Sequence, residues 1–360
     1  MAAPGGKFFI DATLDTPAAH HESFAQLWAT KWKAPAEMGV YPFMFGSAAD
    51  FAPALASLTA AGAREPYDWD AYAAAFFPAA EQLQARAEAA QAAGHTDEAS
   101  EFIPVYHLVP DTATPEAPAP TLVIFTGLDG YRTELAVWME GWRRVGVATV
   151  VLEIPGTGDC PADASDPRSA DRLYSSLFAW MDGQARLDAA RTAVWGFSTG
   201  GFYAMRVAHT HAGRLAGVVA LGGGCHHMFD ERWLSSVNHL EYPFDLADTL
   251  AWKWGYGGDV AGFKREAQGK FSLLADGTLD MPECARLLLV NGTEDEVFPI
   301  DDYYLALQHG APKEARFVAG TKHMGEPASF FVCIKWLYKL FGIEADVVAQ
   351  LQTLPFKAKY

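Results

Sequence analysis

The chain has 360 residues, 27 basic against 44 acidic, for a formal net charge of −17 at pH 7. No block of lysine or arginine interrupts this acidic balance, which excludes a nucleic-acid groove and an anionic membrane surface as partners. Half the residues are hydrophobic and 13% aromatic, enough for a sizeable core, so wholesale disorder is excluded as well.

The first residues read Met-Ala-Ala-Pro-Gly-Gly-Lys, and no apolar stretch of signal-peptide length follows them. No run approaches the roughly 18 apolar residues of a membrane span. Cys160, Cys225, Cys284 and Cys333 lie far apart, with neither metal-ligand spacing nor a disulfide framework. These features predict a soluble, reduced, cytoplasmic protein with no metal site.

From about Phe8 to Phe102 the chain is rich in alanine and aromatics. Tyr72 to Ser100 is dominated by strong helix formers, with Gly94 as a terminator. Residues 1–102 are therefore expected to form a helical accessory domain, without the fixed period of a solenoid. From Ile103 the texture changes, after which comes a Pro-rich loop from Pro110 to Pro120. Leu122–Thr126, Ala148–Ile154, Ala193–Trp195, Gly217–Leu221, Leu287–Asn291 and Arg316–Ala319 read as strands, several of them apolar on consecutive residues as in a parallel sheet buried on both faces. Arg168–Asp182 and Gly201–His211 read as crossover helices, and the alternation predicts a doubly wound α/β domain over 103–360. Phe229 to Gly269 break the pattern and are expected as an insertion near the mouth of a site.

Within this frame, Gly196-Phe197-Ser198-Thr199-Gly200 is Gly-x-Ser-x-Gly between an apolar strand and a helix-forming run. That context is the nucleophile elbow of the α/β-hydrolase fold, in which a sharp turn holds the serine out at the carboxyl edge of the sheet. Side chains two residues to either side would collide, so Gly196 and Gly200 remove them. A serine needs a base, and the base an orienting acid, here in the chain order Ser, Asp/Glu, His. Asp295, just past Leu287–Asn291, is the expected acid, with Glu294, Glu296, Asp301 and Asp302 as rivals. His323, in the loop after the last strand, is the expected base. His226 and His227 follow a strand end and are candidates for the pocket lining, while His209 and His211 suit a helix terminus. The oxyanion of a tetrahedral intermediate needs preorganised backbone donors. Thr199 is expected to supply one, and the turn Gly127-Leu128-Asp129-Gly130 the other, from Leu128 or alternatively Asp129. Tyr131 and Arg132, beside that turn, are candidate substrate contacts. Gly222-Gly223-Gly224 lacks the spacing of a dinucleotide site and reads as a turn. The reaction requires no cofactor.

Several stretches carry a resemblance. They are Leu27-Trp28-x-Thr30-Lys31-Trp32-Lys33, Val40-Tyr41-Pro42-Phe43, Gly127 to Arg132, Ile154-Pro155-Gly156-Thr157-Gly158-Asp159-Cys160-Pro161, the elbow, Asn291 to Asp302, and Lys322-His323-Met324-Gly325-Glu326-Pro327. Together they resemble the fungal "yellowish-green" pigment-pathway hydrolases, which shorten naphthopyrone-type polyketides, and in turn the FrsA-like esterases and the pseudo-oxynicotine C–C hydrolases. The resemblance implies an N-terminal helical cap over an α/β-hydrolase core. It implies cleavage of a carbon–carbon bond in a β-dicarbonyl side chain of an aromatic polyketide, a triad of Ser198, Asp295 and His323, and a homodimer. An esterase or acyltransferase acting on a secondary metabolite is the alternative, and a non-catalytic small-molecule binding protein is the alternative of another class. One departure stands out. Relatives carry more helical sequence before the strand near Val105, whereas here Glu101-Phe102 runs almost directly into it, which implies either a shorter cap or a missing flexible segment at that point.

Overall fold

The structure, a computed structural model, describes residues 23–38, 51–60 and 103–354. The described residues fall into two compact units. The N-terminal unit holds α1 (Phe24–Leu27), a π-helical turn (Trp28–Trp32), α2 (Lys33–Met38) and α3 (Ala52–Ala60). Ser23 caps α1 by accepting from the Gln26 amide at 3.2 Å. The helix expected over Tyr72 to Ser100 lies outside the described residues.

In the second unit, the strands are β1 (Tyr106–Leu108), β2 (Ala119–Phe125), β3 (Ala148–Leu152), β4 (Leu187–Phe197), β5 (Gly217–Leu221), β6 (Leu287–Gly292) and β7 (Glu314–Val318). They form one sheet in the order β1-β3-β2-β4-β5-β6-β7. Only β1, on the edge, is antiparallel. The chain winds outward to β3 and then back across β2 to β4, so the topological switch point lies between β2 and β4. Ligands bind outside the carboxyl ends of the strands at such a point. Residues of β3, β5 and β6 are buried without alternation, as expected where helices cover both faces.

The helices of this unit are α4 (Ala136–Arg144), α5 (Ser169–Asp182), α6 (Thr199–Thr210), α7 (Glu231–Leu234), α8 (Leu246–Lys253), α9 (Val260–Phe271), α10 (Asp301–Ala306), α11 (Ala328–Phe341) and α12 (Val347–Gln352). The segment expected as an insertion is helical and contains α7, α8 and most of α9. Its Trp254 packs at 5.0 Å on Phe202 of α6, 4.9 Å on Phe229 and 4.6 Å on Phe271, ring centre to ring centre. The buried Arg206 guanidinium fixes α6 from another side, with two hydrogen bonds to Asp171 of α5 and one to Asp276, each 2.7 Å. The helix that follows the elbow is thus held in place by packing and by charge.

Candidate active site

Four loops meet at the carboxyl edge of the sheet, one each after β2, β4, β6 and β7. The loop after β4 is the sharpest. Ser198 has φ 52° and ψ −123°, a backbone strain of about 1–3 kcal/mol for a non-glycine residue. The neighbouring glycines make it possible. A Cβ on Gly196 would lie 2.1 Å from the Gly200 carbonyl oxygen, and one on Gly200 would lie 2.4 Å from that of Thr126. The Ser198 amide donates to Leu221 O at 2.7 Å, and its carbonyl accepts from the Gly201 amide at 2.7 Å, which locks the turn between β5 and α6.

His323 arrives from the β7 loop, and its Nε2 lies 2.8 Å from Ser198 Oγ. Its Nδ1 lies 2.8 Å from Asp295 Oδ2, and Asp295 is fully buried. A carboxylate only accepts, so Nδ1 carries the proton and Nε2 is left to take the serine proton. Asp295 is itself held firmly. Its Oδ1 accepts from the amides of Val297 (2.7 Å) and Phe298 (3.0 Å), and its Oδ2 from Asn291 Nδ2 (2.7 Å). The Asn291 carbonyl oxygen accepts from the amides of Gly292 (2.9 Å) and Met324 (3.0 Å). One amide side chain therefore joins the acid's loop to the base's loop.

Among the rival carboxylates, Glu294 is exposed, while Glu296 and Asp302 are engaged elsewhere. Glu296 pairs with Lys322 at 2.5 Å. Asp302, also fully buried, accepts from the backbone amides of His226, His227 and Met228 at 2.8, 2.6 and 2.9 Å, and so fixes the loop after β5. Asp301 is buried in the first turn of α10. His226 Nδ1 bonds Ser272 Oγ at 2.7 Å, and His209 is buried near the end of α6.

Two residues that the sequence reading passed over stand close to His323. Glu241, from the insertion, accepts from the His323 amide with both carboxylate oxygens, at 3.1 and 3.2 Å, and from the Glu296 amide at 3.3 Å. Burial pushes its carboxyl up, and the Asp295 charge adds to this. Burial likewise pushes Glu326 up to about 7, against the pull of His323. Burial alone would lower the His323 pKa, but Asp295 outweighs it, with Glu241 and Glu326 adding, and the ring stands at about 9. Three carboxyls around one imidazole favour its cation, the state it reaches on taking a proton. No spacing rule announces Glu241, 43 residues beyond the elbow serine in sequence, whereas the closeness of Glu326 to His323 was a usable signal.

On the opposite side, the turn after β2 reaches the serine. A Cβ on Gly127 would lie 3.4 Å from Ser198 Cβ. Thr199 is the first residue of α6, where amides lack a helical partner and the helix dipole favours negative charge. Among the described residues, neither the Leu128 nor the Thr199 amide donates to a backbone carbonyl. Leu128 is held from behind, its carbonyl accepting from Thr157 Oγ1 at 3.0 Å. Tyr131 is 49% exposed. Arg132, the other candidate substrate contact, is held by carboxylates within the chain. Its guanidinium bonds Glu153 at 2.6 Å and Asp159 at 2.5 and 2.9 Å, and its amide bonds Glu153 at 2.8 Å, so it braces the turn from below. Among the described residues, no group of three or more His, Cys, Asp or Glu side chains is placed to hold a metal ion, and no helix is long and apolar enough to cross a membrane.

This sheet, with a strained serine at the turn after β4, is the α/β-hydrolase fold. The esterase FrsA-like family matches residues 80–317, and the chain belongs to that family. Esterase FrsA of Photorhabdus laumondii subsp. laumondii is 25% identical over 186 residues, 51% of this chain and 43% of that one. Esterase FrsA of Pectobacterium atrosepticum is 24% identical over 166 residues, 46% of this chain and 38% of that one. The chain thus spans less than half the length of these curated relatives. Among solved structures, AbyA5 superimposes with a TM-score of 0.61 at 18% identity, covering 94% of this chain and 98% of that one. The 2,6-dihydroxy-pseudo-oxynicotine hydrolase superimposes with a TM-score of 0.59 at 16% identity, covering 99% and 94%. At such identities these two likenesses establish the fold.

Proposed function

We propose that Ser198, His323 and Asp295 act as nucleophile, base and orienting acid, and that the enzyme cleaves a carbon–carbon bond in the β-dicarbonyl side chain of an aromatic polyketide. The observation that carries the nucleophile assignment is the unbroken relay from Ser198 Oγ through His323 to Asp295, with both links at 2.8 Å. Ser198 Oγ attacks the carbonyl carbon while His323 takes its proton. The oxyanion lies between the Leu128 and Thr199 amides. When the intermediate collapses, the electron pair of the C–C bond passes to the departing carbon as an enolate, which takes the proton from His323. Water then attacks the acyl-enzyme, His323 accepting its proton, and a carboxylic acid leaves.

The resemblance of the elbow and of the β2, β6 and β7 loops to polyketide-shortening and pseudo-oxynicotine hydrolases supports the C–C bond as target. The second reading, an esterase or acyltransferase, is favoured by the esterase family to which the chain belongs. Product identity separates the two. Incubated with a naphthopyrone and with a simple aryl ester, a C–C hydrolase releases a short keto acid and a shortened arene. Turnover of the ester alone would replace this reading with the second, and turnover of neither would favour a binding protein.

A further inference from the structure

Asp129 is the residue after Leu128, and the relay makes no use of it. Its Oδ2 accepts from the Tyr242 hydroxyl at 3.0 Å, which anchors the carboxylate to the insertion. Its Oδ1 has no hydrogen-bond partner among the described residues. A Cβ on Gly127 would lie 3.8 Å from that oxygen and 3.4 Å from Ser198 Cβ, so carboxylate and nucleophile lie within about 7 Å of each other across a bare glycine. Burial pushes the neighbouring Glu134 up to about 8, with the Asp129 charge adding to it, so Glu134 is mostly neutral at pH 7. Lys253 is the cation that meets the Asp129 charge, and an anchored carboxylate with one free oxygen beside an oxyanion turn accepts from a donor on the substrate.

We propose that Asp129 is a specificity-determining residue whose Oδ1 accepts a hydrogen bond from a hydroxyl on the acyl portion of the substrate, near the scissile carbonyl, such as the enol of a β-dicarbonyl or a phenol. The inference rests on Ser198 as nucleophile but does not depend on whether a C–C bond or an ester is broken. Asp129 is exposed in the free protein, so the discrimination arises when bound substrate covers it: an analogue without the donor then leaves the acceptor desolvated and unpaired.

The test uses the full chain and two neutral esters, 4-nitrophenyl 3-hydroxybutanoate and 4-nitrophenyl 3-methoxybutanoate, with the anionic 4-nitrophenyl hydrogen succinate as a third. The wild type is expected to prefer the hydroxy over the methoxy ester in kcat/KM by about tenfold to a hundredfold, the usual range for a hydrogen bond to a charged group. Asp129→Ala brings that ratio towards one. Asp129→Asn keeps the shape of the side chain, lowers the ratio less, and raises the rate on the succinate ester relative to the neutral pair. A role confined to supporting the turn would slow all three esters alike and leave the ratios unchanged, and that result would overturn the proposal, as would a wild type without hydroxyl preference. Failure of the wild type to turn over any ester, with no fluorophosphonate adduct at Ser198, would remove the nucleophile assignment itself.

Discussion

The two sides of the nucleophile are built in opposite ways. The elbow is local in sequence: strand, strained serine, flanking glycines and helix are consecutive residues, with Gly196 closed on Gly200 and the Phe125 and Thr126 carbonyls at the end of β2 packed against Gly200. The acid–base side is assembled at a distance. Asp295, His323, Asn291 and Glu241 come from three separate segments, joined by the Asn291 amide and by Glu241 bound to the His323 and Glu296 amides. A local device fails through its own backbone. An assembled one degrades by steps, as each tie is removed.

The largest expected effect lies where the two sides meet. Ser198→Ala and His323→Ala should each lower kcat by up to about a million-fold, and the double variant should be little worse, because the residues act as a unit. A double variant that fell by the product of the two single losses would break that picture. Next comes the elbow backbone. The Cβ of Gly200→Ala would press on the Thr126 and Phe125 carbonyls at 2.4 and 2.8 Å. We expect a loss of about 1–3 kcal/mol in unfolding free energy, and a loss of activity of about 100-fold from the displaced serine. Thermal melting and steady-state kinetics on the same sample check both.

On the assembled side the effects are smaller and show in pH dependence. Neutral His323 is the working form, so kcat/KM should rise with pH through the histidine's value of about 9. Glu241→Gln keeps an oxygen acceptor for the His323 amide but removes a negative charge that stabilises the imidazolium. The acid limb of the profile should therefore move to lower pH. A limb that stayed in place while kcat fell would make Glu241 a purely mechanical support. The smallest effect on turnover is expected at Asp302→Asn. An amide cannot accept from all three loop amides with both ends. Stability should drop by about 2–3 kcal/mol while kcat of the folded protein stays within a few-fold of wild type.

The same contrast governs how much was legible in the sequence. Ser198 could be read directly, because strand, glycines, serine and helix are consecutive in the chain, although the backbone that forbids a side chain at Gly200 comes from the end of β2. The parallel strands could be read because burial on both faces leaves uninterrupted apolar runs. The three-residue β1 has no period to detect, and a strand near Val105 is expected only from the resemblance. Asp295 could be narrowed only to one of five acidic residues in its loop. What separates it from Asp302 is that His323 of the β7 loop meets Asp295, while amides of the β5 loop meet Asp302, and both depend on where those loops are placed. Arg132 reads as a candidate substrate contact from its place beside the turn, and its partners Glu153 and Asp159 could not be anticipated because they lie 21 and 27 residues away in sequence. Glu241 was hidden for the same reason.

The central claim is that Ser198 is a nucleophile activated by His323. The most direct test is mass spectrometry of the protein after reaction with a fluorophosphonate, with peptide mapping of the adduct and His323→Ala as comparison. The account predicts a single adduct at Ser198 in the wild type and a labelling rate lowered by orders of magnitude in the variant. Labelling at another residue, or at Ser198 with equal speed in both proteins, would contradict it.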